Sequence, residues 1–348
     1  MTSDVRRRSW GGSYRRQRRR TRMKQRLHAV EGMVELISTD PWIFKPSELY
    51  KIDGELRDEL RNFNIYLVAR RPRMSIDPAS LSIRDGKEVS GAFIAQDKGD
   101  RISFGFVFRN PFDQAITEVG TSGFPHSSLR FTCGSAPFEM RLHDVVRFSE
   151  VESKNRLDMK IEYVGQSFGD EGDSDAIQRL IGKTGKQGHG SLQRILADIT
   201  DDFPDSEAHV LLYSYGQYKN FMFMGGGSLP VFDFDADEGR LDRLMNAAYS
   251  RENRIDLAEA ALIKYFQPKY NETYKKNFPD ATHKMLESLF SLDVTGLAVT
   301  LSTMEHGVRT YSDHASPREL HCARYSIVTD KDRASFLDLA NVRDDDDV

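Results

Sequence analysis

The 348 residues are enough for two modest domains or for one domain with large additions, and a hydrophobic share of 39% allows an ordinary buried core. No apolar run approaches the roughly 18 residues of a spanning helix, and no apolar segment follows the basic N-terminus, which excludes reading it as an export signal. Cys133 and Cys322 are the only cysteines; they fit no metal-ligand spacing and are read as reduced thiols of a cytoplasmic protein.

The net charge of −4 conceals a division. Residues 1–26 carry eleven basic side chains against Asp4 alone, which leaves −14 on the remainder. Arg6, Arg7, Arg8, Arg15, Arg16, Arg18, Arg19 and Arg20 dominate this low-complexity arm, residues 1–27, and are its candidate nucleic-acid contacts. The body is not a generally basic surface. A solubilising disordered arm is the alternative reading of the same composition. Residues 341–348 form a solvated acidic tail.

Residues 28–140 are expected to form a mainly β accessory region. It opens with a helix suggested by the spacing of Leu27, Val30, Met33, Val34 and Ile37, and residues 55–62 suggest another. Ile65 to Val68 reads as a strand, followed by short extended runs broken by Gly, Pro and Asp. From 141 to 275 the texture changes. Val145 to Phe148 reads as a strand. Met159 to Gly165 alternates with period 2, placing Met159, Ile161 and Tyr163 on one face. Ser174 to Ile181 suggests a short helix capped by Asp173 or Ser174 and stopped by Gly182, and Ser191 to Ile199 a second. Ala208 to Tyr213 reads as a strand, residues 214–250 as an insertion, and Glu252 to Gln267 as a helix ended by Pro268. Residues 276–340 read as a β-rich extension, with a hairpin or meander over 293–327 and a last short helix over 331–339.

The chemistry-bearing residues lie in the 141–275 segment. Glu259 falls on the row Ile255, Glu259, Leu262, Phe266, one face of a helix. A carboxylate in an apolar row needs a cationic partner: either a divalent cation, or an ion pair with Arg179 or Lys264. Arg179 projects from a short helix whose apolar positions are Ala176, Ile177, Leu180 and Ile181, and its planar fork suits phosphate oxygens; a solvated surface arginine is the alternative. Tyr163 orients water or acts as a base only if a neighbouring cation lowers its pKa, and is otherwise a core aromatic. His189, just before a helix, suits proton relay, phosphate binding or plain capping. Asn271, three residues after Pro268, ties the helix exit to the sheet.

Tyr163-Val-Gly, Arg179, His189 and the run Glu259-Ala-Ala-Leu-Ile-Lys-Tyr-Phe-Gln-Pro-Lys-Tyr-Asn271 together resemble the GIY-YIG endonuclease superfamily. The Leu-Ile pair, the Pro and the Asn after the Glu follow the spacing of its excision-repair members. The resemblance implies an α+β fold with a small antiparallel sheet flanked by helices. It also implies a phosphodiesterase that cuts DNA with Mg²⁺ or Mn²⁺ held by Glu259, and catalytic roles for Tyr163, Arg179, His189, Glu259 and Asn271. A ribonuclease, or a noncatalytic nucleic-acid-binding module on the same fold, are the alternatives. The sequence departs from the family pattern at its first half, where Phe148 is placed at the position of a tyrosine.

Overall fold

The computed structural model describes residue 24 and residues 26–168, 176–182, 190–224 and 234–340. The chain opens with β1 (Val30–Ile37), β2 (Trp42–Phe44), α1 (Gly54–Glu59) and β3 (Ile65–Pro72). An all-strand stretch follows: β4 (Met74–Ile76), β5 (Ser82–Arg84), β6 (Glu88–Asp97), β7 (Asp100–Arg109), β8 (Ile116–Thr121), β9 (Ser128–Cys133) and β10 (Ala136–Arg141). Next come α2 (Leu142–Arg147), β11 (Ser149–Val151), β12 (Met159–Gln166), α3 (Ala176–Ile181), α4 (Gly190–Asp202), β13 (Ser206–Tyr213) and β14 (Gln217–Met224). The chain closes with α5 (Phe234–Met245), α6 (Arg251–Phe266), α7 (Glu287–Ser291), β15 (Val294–Ser302), β16 (Thr310–Tyr311), β17 (Leu320–Ser326) and α8 (Phe336–Leu339).

The result is a mixed α+β fold built on several mainly antiparallel sheets with comparatively few helices. Residues 74–151 supply a sheet of order β11-β7-β6-β4, with β5 on β6, and a second of order β10-β9-β8. Their shared core is aromatic, with Phe93, Phe106, Phe108 and Phe131 all buried. Two further sheets, β16-β12-β3-β13-β2 and β14-β1-β15-β17, draw strands from both ends of the chain. Strands β1 to β3 therefore sit beside elements from beyond residue 141, across the expected segmentation.

Two expected elements are replaced. Residues 30–37 form a strand rather than a helix. The apolar spacing matches a helical face, but Val34 and Leu36 are also two apart and both fully buried. Both sides of the segment are taken up by strand partners, β14 antiparallel and β15 parallel. This long-range pairing overrides a weak local propensity. Conversely, residues 145–148 are not a strand. Leu142, Val145 and Val146, spaced i, i+3, i+4, are all buried on the helix α2, and Arg141 pairs with Asp144 at 2.9 Å across its first turn. The segment 214–250 contributes β14 and α5, and residues 225–233 between them lie outside the described residues. Strand 65–68, helix 54–59 and the antiparallel pair β15–β17 match expectation. Both cysteines are free thiols, and among the described residues no helix is long and apolar enough to cross a membrane.

The β16-β12-β3-β13-β2 sheet positions the site. Its alternating residues separate two cores. Ile65, Leu67, Ala69, Leu211 and Tyr213 face the larger one, with Ile255, Leu257, Ala258 and Leu262 of α6. Tyr66, Val68, Val210 and Leu212 face a smaller one closed by Ala176, Ile177 and Leu180 of α3 and Leu192, Ile195 and Ile199 of α4. Helix α6 starts at the Ser250 cap, whose side chain accepts from the Asn253 amide, and ends at Gln267 in the left-handed region. Pro268 then prevents its continuation.

The second mixed sheet is anchored by a buried ionic cluster. Glu31, with no solvent exposure, accepts from Arg333 at 2.9 Å and lies 3.6 Å from Arg240; both arginines also pair with Asp293, at 2.5 and 2.6 Å. Burial raises the Glu31 carboxyl above its ordinary range, and the two guanidinium groups oppose that shift. Removing one partner from such a cluster strands a buried charge. Arg333→Met is expected to lower unfolding free energy by about 3–5 kcal/mol in urea titration; a loss below about 1 kcal/mol would show that Arg240 alone satisfies Glu31.

Candidate functional site

The site begins with one extra residue in β12. The strand pairs with β3 as Ile161 opposite Ala69, but the next pair is Tyr163 opposite Val68, so Glu162 has no counterpart. This is a β-bulge. Met159, Ile161 and Val164 stay in the larger core, whereas Tyr163 joins Tyr66 and Val68 on the other face. The expectation that Met159, Ile161 and Tyr163 share one face is thus corrected: period-2 alternation breaks at Glu162. The bulge residue is held in place by its buried carboxylate, 2.7 Å from Arg70 Nε, and by its carbonyl, which accepts from the Tyr270 amide at 3.1 Å.

Beyond the bulge, Gly165 lies opposite Tyr66. The rings of Tyr66 and Tyr163 close over it with centroids 6.0 Å apart. A Cβ at this position would come within 2.6 Å of Tyr66 Cζ and 2.7 Å of Tyr163 Cε1. Glycine is required here because two aromatic side chains converge on its Cα.

Arg179, exposed on the last turn of α3, acts electrostatically on Tyr66, Tyr163 and Glu259. Burial holds Tyr66 well above its ordinary phenolic range, reinforced by Tyr163 and by Glu259 and opposed by Arg179. Tyr163 is raised in the same way, first by burial and then by Glu259. Glu259 is half-buried on α6, and its carboxyl is pushed up to about 7, first by burial and then by the neighbouring carboxylate of Asp256. Arg179 and Gln166 partly offset the shift. Gln166, the residue after Gly165, donates to Asp256 at 2.8 Å. Tyr274 completes the rim, its hydroxyl raised by burial, Glu259 and Asp256.

Asn271 closes the back of the site. Its amide accepts from the Val164 N–H at 2.9 Å and donates to the Val164 carbonyl at 2.8 Å, locking the α6 exit onto the strand that carries Tyr163 and Gly165. Tyr163, Arg179, Glu259 and Asn271 are therefore brought together. His189, the arm arginines and the cap at residues 173–174 lie outside the described residues. Phe148 is not part of the cluster: it ends α2, 46% exposed, with Arg147 over its ring. The place opposite Gly165 belongs to Tyr66, 97 residues upstream of Tyr163. An Ile-Tyr pair opening a strand was its only local signal.

Among the described residues, no group of three or more His, Cys, Asp or Glu side chains converges as a metal cage. The donors available at the site are Glu259 and, three residues before it, Asp256. That set fits Mg²⁺ or Mn²⁺, which bind through one or two carboxylates and keep several waters. A carboxylate driven up by burial and a like-charged neighbour is also the kind of group a cation stabilises. Compared with protein families, curated proteins and solved structures, the chain matches none.

Because folding raises Glu259 from 4.5 to about 7, its ionisation opposes folding. The penalty is absent below about 4.5, grows as pH rises and is complete above about 7. Glu259→Gln, which cannot ionise, should therefore be more stable than the wild type in metal-free urea titrations at pH 8 and indistinguishable from it at pH 4.5. Equal stability at pH 8 would show that the carboxylate is already compensated by the protein.

Proposed function

We propose that the chain is a divalent-cation-dependent endonuclease that hydrolyses DNA phosphodiester bonds, with a centre of the GIY-YIG kind. The observation that carries this reading is the convergence of two tyrosine hydroxyls, an arginine and a half-buried glutamate around Gly165. Family nucleases use two tyrosines, one from each half of the signature. Asn64-Ile65-Tyr66 at the entry to β3 supplies a counterpart for the first half and Tyr163-Val164-Gly165 on β12 for the second.

Phosphodiester hydrolysis needs an oriented water, stabilisation of charge on the phosphorane and help for the leaving oxygen. Glu259, assisted by Asp256, is the residue that would hold the cation, which supplies charge stabilisation at the phosphate when bound. The environment of Tyr66 and Tyr163 keeps both phenols protonated at neutral pH, so they serve as hydrogen-bonding groups that orient the water and a phosphate oxygen. Arg179 reaches the same space from α3 and presents a fixed fork to developing negative charge. Gln166 holds Asp256, and Asn271 fixes the height of β12 against α6. The basic arm adds sequence-independent attraction to the phosphate backbone.

Supercoiled plasmid should be nicked only with Mg²⁺ or Mn²⁺, and Glu259→Gln should abolish nicking. Tyr66→Phe and Tyr163→Phe should each slow single-turnover cleavage by about 10² to 10⁴, the scale of a positioned acid–base group, with little change in DNA affinity. Phe148→Tyr should behave as wild type. Wild-type cleavage by Tyr66→Phe would remove the two-tyrosine centre; cleavage of RNA but not plasmid would make the enzyme a ribonuclease. Tight DNA binding with no cleavage under either metal would make it a binding module.

A further inference from the structure

A recess of about 200 Å³ lies beside the proposed centre, lined by Asn62, Asn64, Ser214, Tyr215, Gly216, Arg251, Arg254 and Ile255. Among the described residues its lining supplies two guanidinium groups and no carboxylate. Both cations are fixed by neutral acceptors. Arg251 donates to Asn64 Oδ1 at 2.7 and 3.2 Å and to the Arg61 carbonyl at 3.1 Å; buried Asn64 in turn donates to Ser167 at 3.3 Å. Arg254 donates to the carbonyls of Tyr215 and Tyr249. Among the described residues, the hydrogen-bond acceptors of the two arginines are the Asn64 side chain and main-chain carbonyls. In a body of net charge −14, two guanidinium groups that are held by neutral acceptors among the described residues and face one concavity form a site for an anion.

The recess is continuous with the proposed centre on two elements. Asn64 is two residues ahead of Tyr66 on the chain entering β3. Arg251, Ile255 and Glu259 follow one another at i, i+4, i+8 along α6, about 12 Å at 1.5 Å per residue. A nucleic-acid strand carries a phosphate every 3.4 Å of duplex axis, so a strand reacting at Glu259 passes a phosphate within a few nucleotides at Arg251. The positive pole of the first turn of α6 adds to the same attraction. We infer that this recess binds a backbone phosphate of the DNA strand, a few nucleotides from the one at the reacting centre. The inference rests on the nuclease reading for the identity of the phosphate, not for the existence of the anion site.

The test uses the full chain carrying Glu259→Gln, so that binding is measured without cleavage. Gly216 is exposed, and a Cβ there would meet only Ser214 Oγ, at 3.7 Å. Gly216→Asp therefore places a carboxylate in the recess without crowding it, and Gly216→Ala is the control. In fluorescence anisotropy with a labelled duplex, Gly216→Asp and Arg251→Gln should each weaken binding about tenfold. Each should also make the slope of log K against log salt shallower by about one, while Gly216→Ala should leave both unchanged. Unchanged affinity and slope in Gly216→Asp would overturn the inference. A second arm titrates inorganic phosphate by calorimetry. Phosphate binding that Gly216→Asp abolishes, with the DNA slope unaltered, would overturn the strand assignment in favour of a small-anion site. If the protein with Glu259 intact never cleaves DNA but Gly216→Asp still removes the contact, the recess stands and the nuclease reading falls.

Discussion

One inserted residue governs the geometry of this protein's candidate site. Strand faces alternate strictly, so without an insertion Tyr163 and Gly165 would follow Met159 and Ile161 into the larger core. Glu162 breaks the alternation, and from there onward β12 presents Tyr163 and Gly165 to the face that carries Tyr66. Every later contact depends on that switch: the closure of two rings over Gly165, the reach of Arg179 from α3, and the line from Gln166 to Asp256 on α6. A bulge leaves backbone and side chain unmatched, and here both are satisfied, the carboxylate by Arg70 and the carbonyl by Tyr270. The distortion is thereby fixed in place rather than free to slip.

Two glutamates show how differently the fold treats buried carboxylates. At Glu31, Arg333 and Arg240 surround the group, share Asp293, and join strand β1 to the C-terminal part of the chain. That arrangement is internally neutralised and has a structural explanation. At Glu259 the carboxylate of Asp256 adds to the burden of burial, and the opposing Arg179 is exposed to solvent. The second arrangement leaves the negative charge only partly offset, at the half-buried edge of the cluster. Shifted groups gathered around an incomplete charge balance favour reading the cluster as a site, which is the reading proposed above. The neighbouring recess has the opposite imbalance, with two arginines and no acid among its described lining residues.

Much of this was legible in the amino-acid sequence wherever the determinants are local. Helix α6 announces itself through its cap at Ser250, its apolar rows and Pro268, and it carries Glu259 and Asn271 to one end of the sheet as the spacing implies. The existence of strands β3, β12 and β13 is marked locally by apolar residues flanked by polar and turn-forming ones. What escaped is non-local. Strand β1 has helix-like spacing and becomes a strand only because residues 217–224 and 294–302 flank it. The segment around Phe148 has strand-like residues but buries Leu142, Val145 and Val146 on a helical face. The bulge exists only in the register between two strands, so no alternation pattern within β12 reveals it. Tyr66 was hidden for the same reason: its partner Gly165 lies across the entire all-β stretch of the chain. Asp256 and Gln166 owe their importance to contacts made in the folded state alone.

The central claim is that the cluster around Gly165 is a cation-assisted centre, and it is tested most directly by crystals of the protein soaked in Mn²⁺ at pH 8. Anomalous difference density should appear against the Glu259 carboxylate, on the side facing Tyr66 and Tyr163, and should vanish in crystals of Glu259→Gln. Manganese bound elsewhere with no density at Glu259, or density that survives the substitution unchanged, would contradict the account.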